Sequence, residues 1–347
     1  MRGHRGAIGL AVLLSLVISS GQTAARPDAQ TRTPDPALSR PTLSAEDKVE
    51  IMQALRLKKE TGDRIWPGLA GADIPIVLYN AAYEFLVGYE SPPQPWERVA
   101  SDDVQGAKYF RRARQNPQSF AAKIGERWAG SIASLDLMQS KIPLKLGRDL
   151  HAVFLLHEMF HAFQAARAPK HFEQALAVYK SESRYPFREA EFAADWTEEG
   201  ATLARALKAE NDALARRLAG KFLEIRRMRR GRSGLAPELV TYERELEWLE
   251  GLAKRAEIRF YEIGGARPDL VPSLKFGARF HFILQYDFVR LEKQLGTQGG
   301  DLRFYLSGMA QARLLDRLCP GWQSKTTLEA LILEDFLAAV VAPRPDE

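Results

Sequence analysis

The segment from Arg148 to Ala168 constrains the fold most. It contains no glycine or proline, and Leu, Met, Ala, Phe and Gln dominate it. These residues lose little freedom in a helix, so the segment predicts a helix over 149–167. Within it runs His157-Glu158-Met-Phe-His161. On a helix, positions i and i+4 share a face about one turn apart. Both imidazoles can then reach one metal ion at about 2.0–2.1 Å. Glu158, beside the first histidine, can take a proton from an attacking water. Zn2+ is the expected cofactor.

A catalytic zinc site takes three protein ligands and leaves one position open. The chain has six histidines and one cysteine. Cys319 stands before Pro320-Gly321, far along the chain. His151 lies on a different face of the same helix, and His171 follows Pro169 in an expected turn. A downstream helical glutamate suits the third place better. The candidates are Glu191 in Glu191-Phe-Ala-Ala-Asp195, Glu199 in Glu199-Gly200-Ala201, and Glu250 in Glu250-Gly251-Leu252-Ala253. Asp195 is a candidate to orient a ligand histidine. Glycine after the glutamate costs about 1 kcal/mol within a helix, which a close approach to the metal helix would justify.

His157-Glu158-x-x-His161 with a later Glu-Gly-x-Ala segment resembles the gluzincin group of zinc metallopeptidases. The resemblance implies a zincin-like catalytic core and a third glutamate ligand on a later helix. Glu250 matches that segment best and Glu199 is the alternative, while Glu191-x-x-Ala-Asp195 resembles another gluzincin variant. It also implies that the strand over Gly125–Ser134 lines the cleft and pairs with a peptide through its edge. Tyr305 and His281 are the matching candidates for stabilising an oxyanion. Gly125-x-x-Trp128-Ala129, Gln164 and Leu314-Leu-Asp316-Arg-Leu-x-Pro320-Gly-Trp322 are similar to features of a loosely described group of bacterial exported proteins. That likeness covers about 120–325.

Arg2, His4 and Arg5 precede an uncharged apolar run from Ala7 to Ser19, and Thr23-Ala24-Ala25 offers small residues for cleavage. This is the pattern of a signal peptide over 1–25, with the mature chain periplasmic or secreted. Residues 26–43, with four prolines between Arg26 and Pro41, read as a linker. The metallohydrolase domain is expected over 44–342, and Ser44-Ala-Glu-Asp47 marks its first helix. The β-rich part spans about 70–134, with strands near 74–79 and 83–89 and a strand pair over 119–134 bent at Gly125 and Gly130. The helical part covers about 148–342, with helices at 188–219, 220–230, 237–261, 277–295, 302–318 and 326–341. The fold class is thus α+β, mainly α, with a small N-terminal β portion and a helical C-terminal part.

The formal charge of +5 is too mild to argue for nucleic acid. The basic run Arg226-Arg-Met-Arg-Arg-Gly-Arg232 reads as a solvated helix end. No stretch of the mature chain is expected to span a membrane. The expected activity is hydrolysis of a peptide or protein substrate, with Glu158 as general base. The alternatives are a non-catalytic zinc-containing binding or envelope protein, and an amidase acting on non-protein amides.

Overall fold

Ser44 opens the first helix, α1 (Ala45–Thr61), through a capping box. Its hydroxyl accepts from the Asp47 amide, and the Asp47 carboxylate accepts from the Ser44 amide, so two end donors are satisfied reciprocally. The structure is a computed structural model describing residues 36–142, 145–272 and 278–342. The expected signal peptide lies outside the described residues. Of the expected linker, residues from 38 onward attach to the sheet. The Leu38 carbonyl accepts from Ala81, the Asn80 amide donates to Arg40, and Leu43 is buried with its N–H on the Tyr109 hydroxyl.

The protein is mainly helical with one small mixed sheet near the N-terminus. Its strands are β1 (Ile76–Tyr79), β2 (Tyr83–Val87), β3 (Glu97–Arg98), β4 (Phe110–Ala113), β5 (Phe120–Ile124) and β6 (Arg127–Ala133). They run in the order β3-β4-β2-β1-β6-β5. Among the described strands, only β1 and β6 pair in parallel. The short, charged β3 and β4 carry no apolar alternation, which is why the sequence does not announce them.

Two glycines act differently here. Gly125 sits at φ +57 in the two-residue connection between β5 and β6, where a left-handed residue suits the hairpin. Gly130 is not a bend. It lies inside β6, and a Cβ there would come 2.8 Å from the Met159 backbone nitrogen. Its missing side chain lets the sheet sit directly on the following long helix. Val77, Leu86, Trp96, Phe110, Ile124 and Ala129 form an apolar cluster in the same sheet region.

After a short α2 (Leu135–Gln139), that helix is α3 (Arg148–Arg167). Every residue from Asp149 to Ala165 is buried. The remaining helices are α4 (Pro169–Ala177), α5 (Ala190–Lys208), α6 (Asp212–Arg232), α7 (Pro237–Leu246), α8 (Leu252–Ala266), α9 (Ala278–Gln294), α10 (Leu302–Leu318) and α11 (Leu333–Val341). A π-helical turn, Glu247–Gly251, joins α7 to α8.

Three boundaries differ from expectation. The helix expected over 188–219 stops at Lys208, because Asn211 caps a new one with its side-chain oxygen on the Leu214 amide. His171 lies in a helix begun by Pro169, not in a turn, since proline suits the first helical position. The last helix starts at Leu333. No helix among the described residues is long and apolar enough to cross a membrane.

The chain divides into two units. One takes Met1–Ala166 and Phe260–Phe276, and the other Arg167–Arg259 and Gly277–Glu347. The first contains the sheet. The second is helical, and glycines seat its helices closely. A Cβ on Gly251 would lie 2.5 Å from the Gly308 Cα, and one on Gly200 would lie 2.1 Å from the Leu291 carbonyl. The close approaches that motivated a glycine after each glutamate are therefore to α10 and α9.

Candidate metal centre

His157, Glu158 and His161 are the one group of metal-ligating side chains brought together among the described residues. One ligand atom from each lies within 4.8 Å of the others. All three residues are buried, at 1%, 3% and 1% exposure. The helix sets this arrangement, since one turn of α3 separates the histidines.

The two Nε2 atoms face each other at 3.1 Å, with ring centroids 4.8 Å apart and planes at 75°. Two nitrogens on a tetrahedral zinc, each at about 2.05 Å, would stand about 3.3 Å apart. The pair therefore fits a shared zinc ion with little adjustment. Gln164 supports the fit: its side-chain oxygen is 3.0 Å from His161 Nδ1. A proton on Nδ1 then donates to that oxygen and leaves the Nε2 lone pair for a metal. Gln164 has no exposure at all. The sequence placed it only as a motif feature, and the signal that could have revealed its role was its spacing of three residues from His161. The Phe120 ring of β5 packs on the His161 ring at 4.6 Å, which limits how that imidazole can turn.

His151, on the same helix, has a different part. Its Nδ1 bonds Glu50 of α1, and its Nε2 lies 2.7 Å from the Ala133 carbonyl at the end of β6. Burial pushes its pKa down, but the Glu50 carboxylate outweighs that and holds the imidazole protonated above its usual range. A cation with both ring nitrogens donating ties three elements together and offers no lone pair to a metal.

The downstream glutamates lie in the second unit, each in surroundings of its own. Glu191 is exposed at the start of α5. Glu199 is fully buried, and both its oxygens are used: Oε2 accepts from Arg226 Nε at 3.0 Å and Oε1 from Arg229 Nε at 2.5 Å. Asp195 pairs with Arg232. Glu250 sits in the π-helical turn, with Oε1 3.4 Å from the Tyr179 hydroxyl, which also bonds Asp301 at 3.0 Å. Such turns insert one residue into a helix and are frequent at functional sites.

Two other expectations change with the structure. The strand expected to pair with substrate, β6, is hydrogen-bonded on both sides, to β1 and β5. It has no edge to offer, and β5 is the outer strand. The basic run at 226–232 is not a solvated helix end. Arg226 and Arg229 are buried among Glu199, Glu243, Glu247 and Glu334. Tyr305 is buried on α10, and the His281 side chain lies outside the described residues. No family model, no curated protein and no solved structure matches this chain.

Proposed function

We propose that this chain is an exported zinc-dependent metallohydrolase that cleaves peptide bonds. The observation that carries the reading is the convergence of His157 and His161 Nε2 at 3.1 Å beside Glu158 on a fully buried helix turn. When bound, zinc polarises the scissile carbonyl and lowers the pKa of the attacking water towards about 7.

The chain supplies the rest. His157 and His161 would hold the ion, and the Gln164 side-chain oxygen at His161 Nδ1 would keep that ring's proton there. Glu158 accepts the proton of the attacking water on its carboxylate and passes it to the departing amine. The sequence pattern Glu250-Gly251-Leu252-Ala253 alone supports Glu250 as the third ligand; in the second unit Glu199 has both oxygens taken by arginines, Glu191 is exposed and Glu250 accepts from Tyr179.

The deciding experiment compares cleavage of casein and a peptide library with and without chelator. Glu158→Gln should keep its zinc and lose turnover by about 10²–10⁴-fold. Full turnover in that variant would remove Glu158 as the base. Bound zinc with no cleavage in the wild type would favour a binding role, and cleavage of non-protein amides alone would favour the amidase.

A further inference from the structure

Arg114, just past β4, has no place in the reading above. Its strand neighbours are satisfied. Arg112 pairs with Glu84 at 2.6 Å and stacks over Trp96, and Arg111 donates to the Pro41 carbonyl. Arg114 is half-buried, with its guanidinium over the Tyr79 ring at 5.3 Å. Its Nε is buried without a hydrogen-bond partner, and it forms no ion pair among the described residues. A buried donor left unmade costs free energy, and a guanidinium is shaped for a carboxylate.

A chain of contacts leads from Arg114 to the histidines. The Tyr79 hydroxyl lies 3.2 Å from Ser119 Oγ, which also accepts from the Ala133 amide. The next residue, Phe120, packs its ring on His161 at 4.6 Å. Burial pushes the Tyr79 phenol above its usual pKa. The Glu158 carboxylate adds to that rise and the Arg114 guanidinium opposes it. Tyr79, Ser119 and Phe120 thus link Arg114 to the His161 ring by contact.

We propose that Arg114 and the Tyr79 hydroxyl form a subsite for a substrate carboxylate beside His157, Glu158 and His161. The substrate class is then a peptide with a carboxylate near the scissile bond, either its C-terminus or an acidic side chain. This rests on the hydrolase reading above. Arg114 would hold the carboxylate through two parallel N–H bonds, and Tyr79 would donate a third.

The test is calorimetric binding to the full chain carrying Glu158→Gln, so that turnover does not interfere. Three probes separate the sources of the carboxylate: N-acetyl-trialanine as the free acid, its C-terminal amide, and the amide with aspartate at the second position. The free acid, the aspartate probe or both should bind more tightly than the plain amide. Arg114→Gln should weaken the preferred probe by about 10–100-fold, the worth of a charge-assisted hydrogen bond, and leave the plain amide unchanged. Arg114→Lys, which keeps the charge, should weaken it less, and Tyr79→Phe should cost up to about 10-fold. Near-ultraviolet circular dichroism checks the fold of each variant.

Equal affinity for all three probes, no binding of any at millimolar concentration, or an Arg114→Gln loss common to all three would overturn the subsite. Arg114-dependent binding of carboxylates by a chain that, with Glu158 intact, cleaves no peptide would keep the subsite and remove the hydrolase reading. Peptide cleavage with no carboxylate preference would do the reverse.

Discussion

Two buried polar regions of this molecule differ in how their groups are matched. In the second unit, Arg226, Arg229 and Arg230 face Glu199, Glu243, Glu247 and Glu334, with ion pairs of 2.5 to 3.1 Å. Donor meets acceptor throughout. Burial alone would raise the Glu243 carboxyl, but Arg229 and Arg230 hold it well below its usual range. On α3, by contrast, two nitrogens of the same kind face each other beside a carboxylate. Donor atoms gathered this way suit a shared cation. Burial of charge does not by itself mark a functional site; what matters is whether the protein's own groups complete it. His151 makes the point within α3, since Glu50 and the Ala133 carbonyl complete it and its role is structural.

The largest expected effect is on metal content. His157→Ala or His161→Ala should leave the dialysed protein essentially without zinc, well beyond the roughly 10–100-fold cost of losing a supporting hydrogen bond. Glu250→Gln should follow them and Glu191→Gln should not. Full zinc in Glu250→Gln would return the third place to another residue.

Arg229→Met should strip Glu199 and Glu243 of one of their two arginine partners each, leaving Arg226 and Arg230, and destabilise the protein by about 3–5 kcal/mol, read from denaturant midpoints. Its zinc per folded chain should match wild type. Loss of zinc without loss of stability would erase the contrast between the two regions.

The regions should also fail at opposite ends of the pH scale. Burial raises the Glu334 carboxyl, but Arg226 and Arg230 outweigh it and bring it down to about 2. Its contribution, about 3 kcal/mol, is complete above pH 4.5 and is lost as pH falls towards 2. His151 is raised instead. Its contribution is complete below about pH 6.5 and is lost as pH rises through the folded-state value. Hydrogen exchange across pH should show α6 and α11 opening first in acid. His151→Gln should remove the alkaline loss around α1 and α3. The same pH response in both regions would contradict the assignment.

The smallest effect belongs to Gly130→Ala. The added methyl meets Met159 backbone at 2.8 Å, so α3 must shift on β6, at a cost of about 1–3 kcal/mol. A thermal melt measures the cost, and unchanged stability would mean that the sheet and helix part easily.

Much of this was legible locally. A run without glycine or proline, rich in Leu, Met, Ala, Phe and Gln, defines α3, whereas its complete burial came only with the fold. The spacing of four places His157 and His161 on one face, because helix geometry is the same in every protein. The Ser44 box and the β1 and β2 runs are equally local. The split between α5 and α6 was missed although its signal, Asn211, is local too.

What the sequence determined is the content of the helix turn: two imidazoles and a carboxylate, in an order that backbone geometry alone converts into a cluster. Tertiary structure decided which other polar residues stand near it and which are spent elsewhere. Glu199, Glu191 and Glu250 look alike as letters. Arg226 and Arg229 close around the first, solvent takes the second, and a π-helical turn carries the third. Arg114, unremarkable in sequence, lies over Tyr79 with a buried donor unmet. A side chain's availability depends on partners distant in sequence, and their positions follow from how helices and strands pack, which no local pattern encodes.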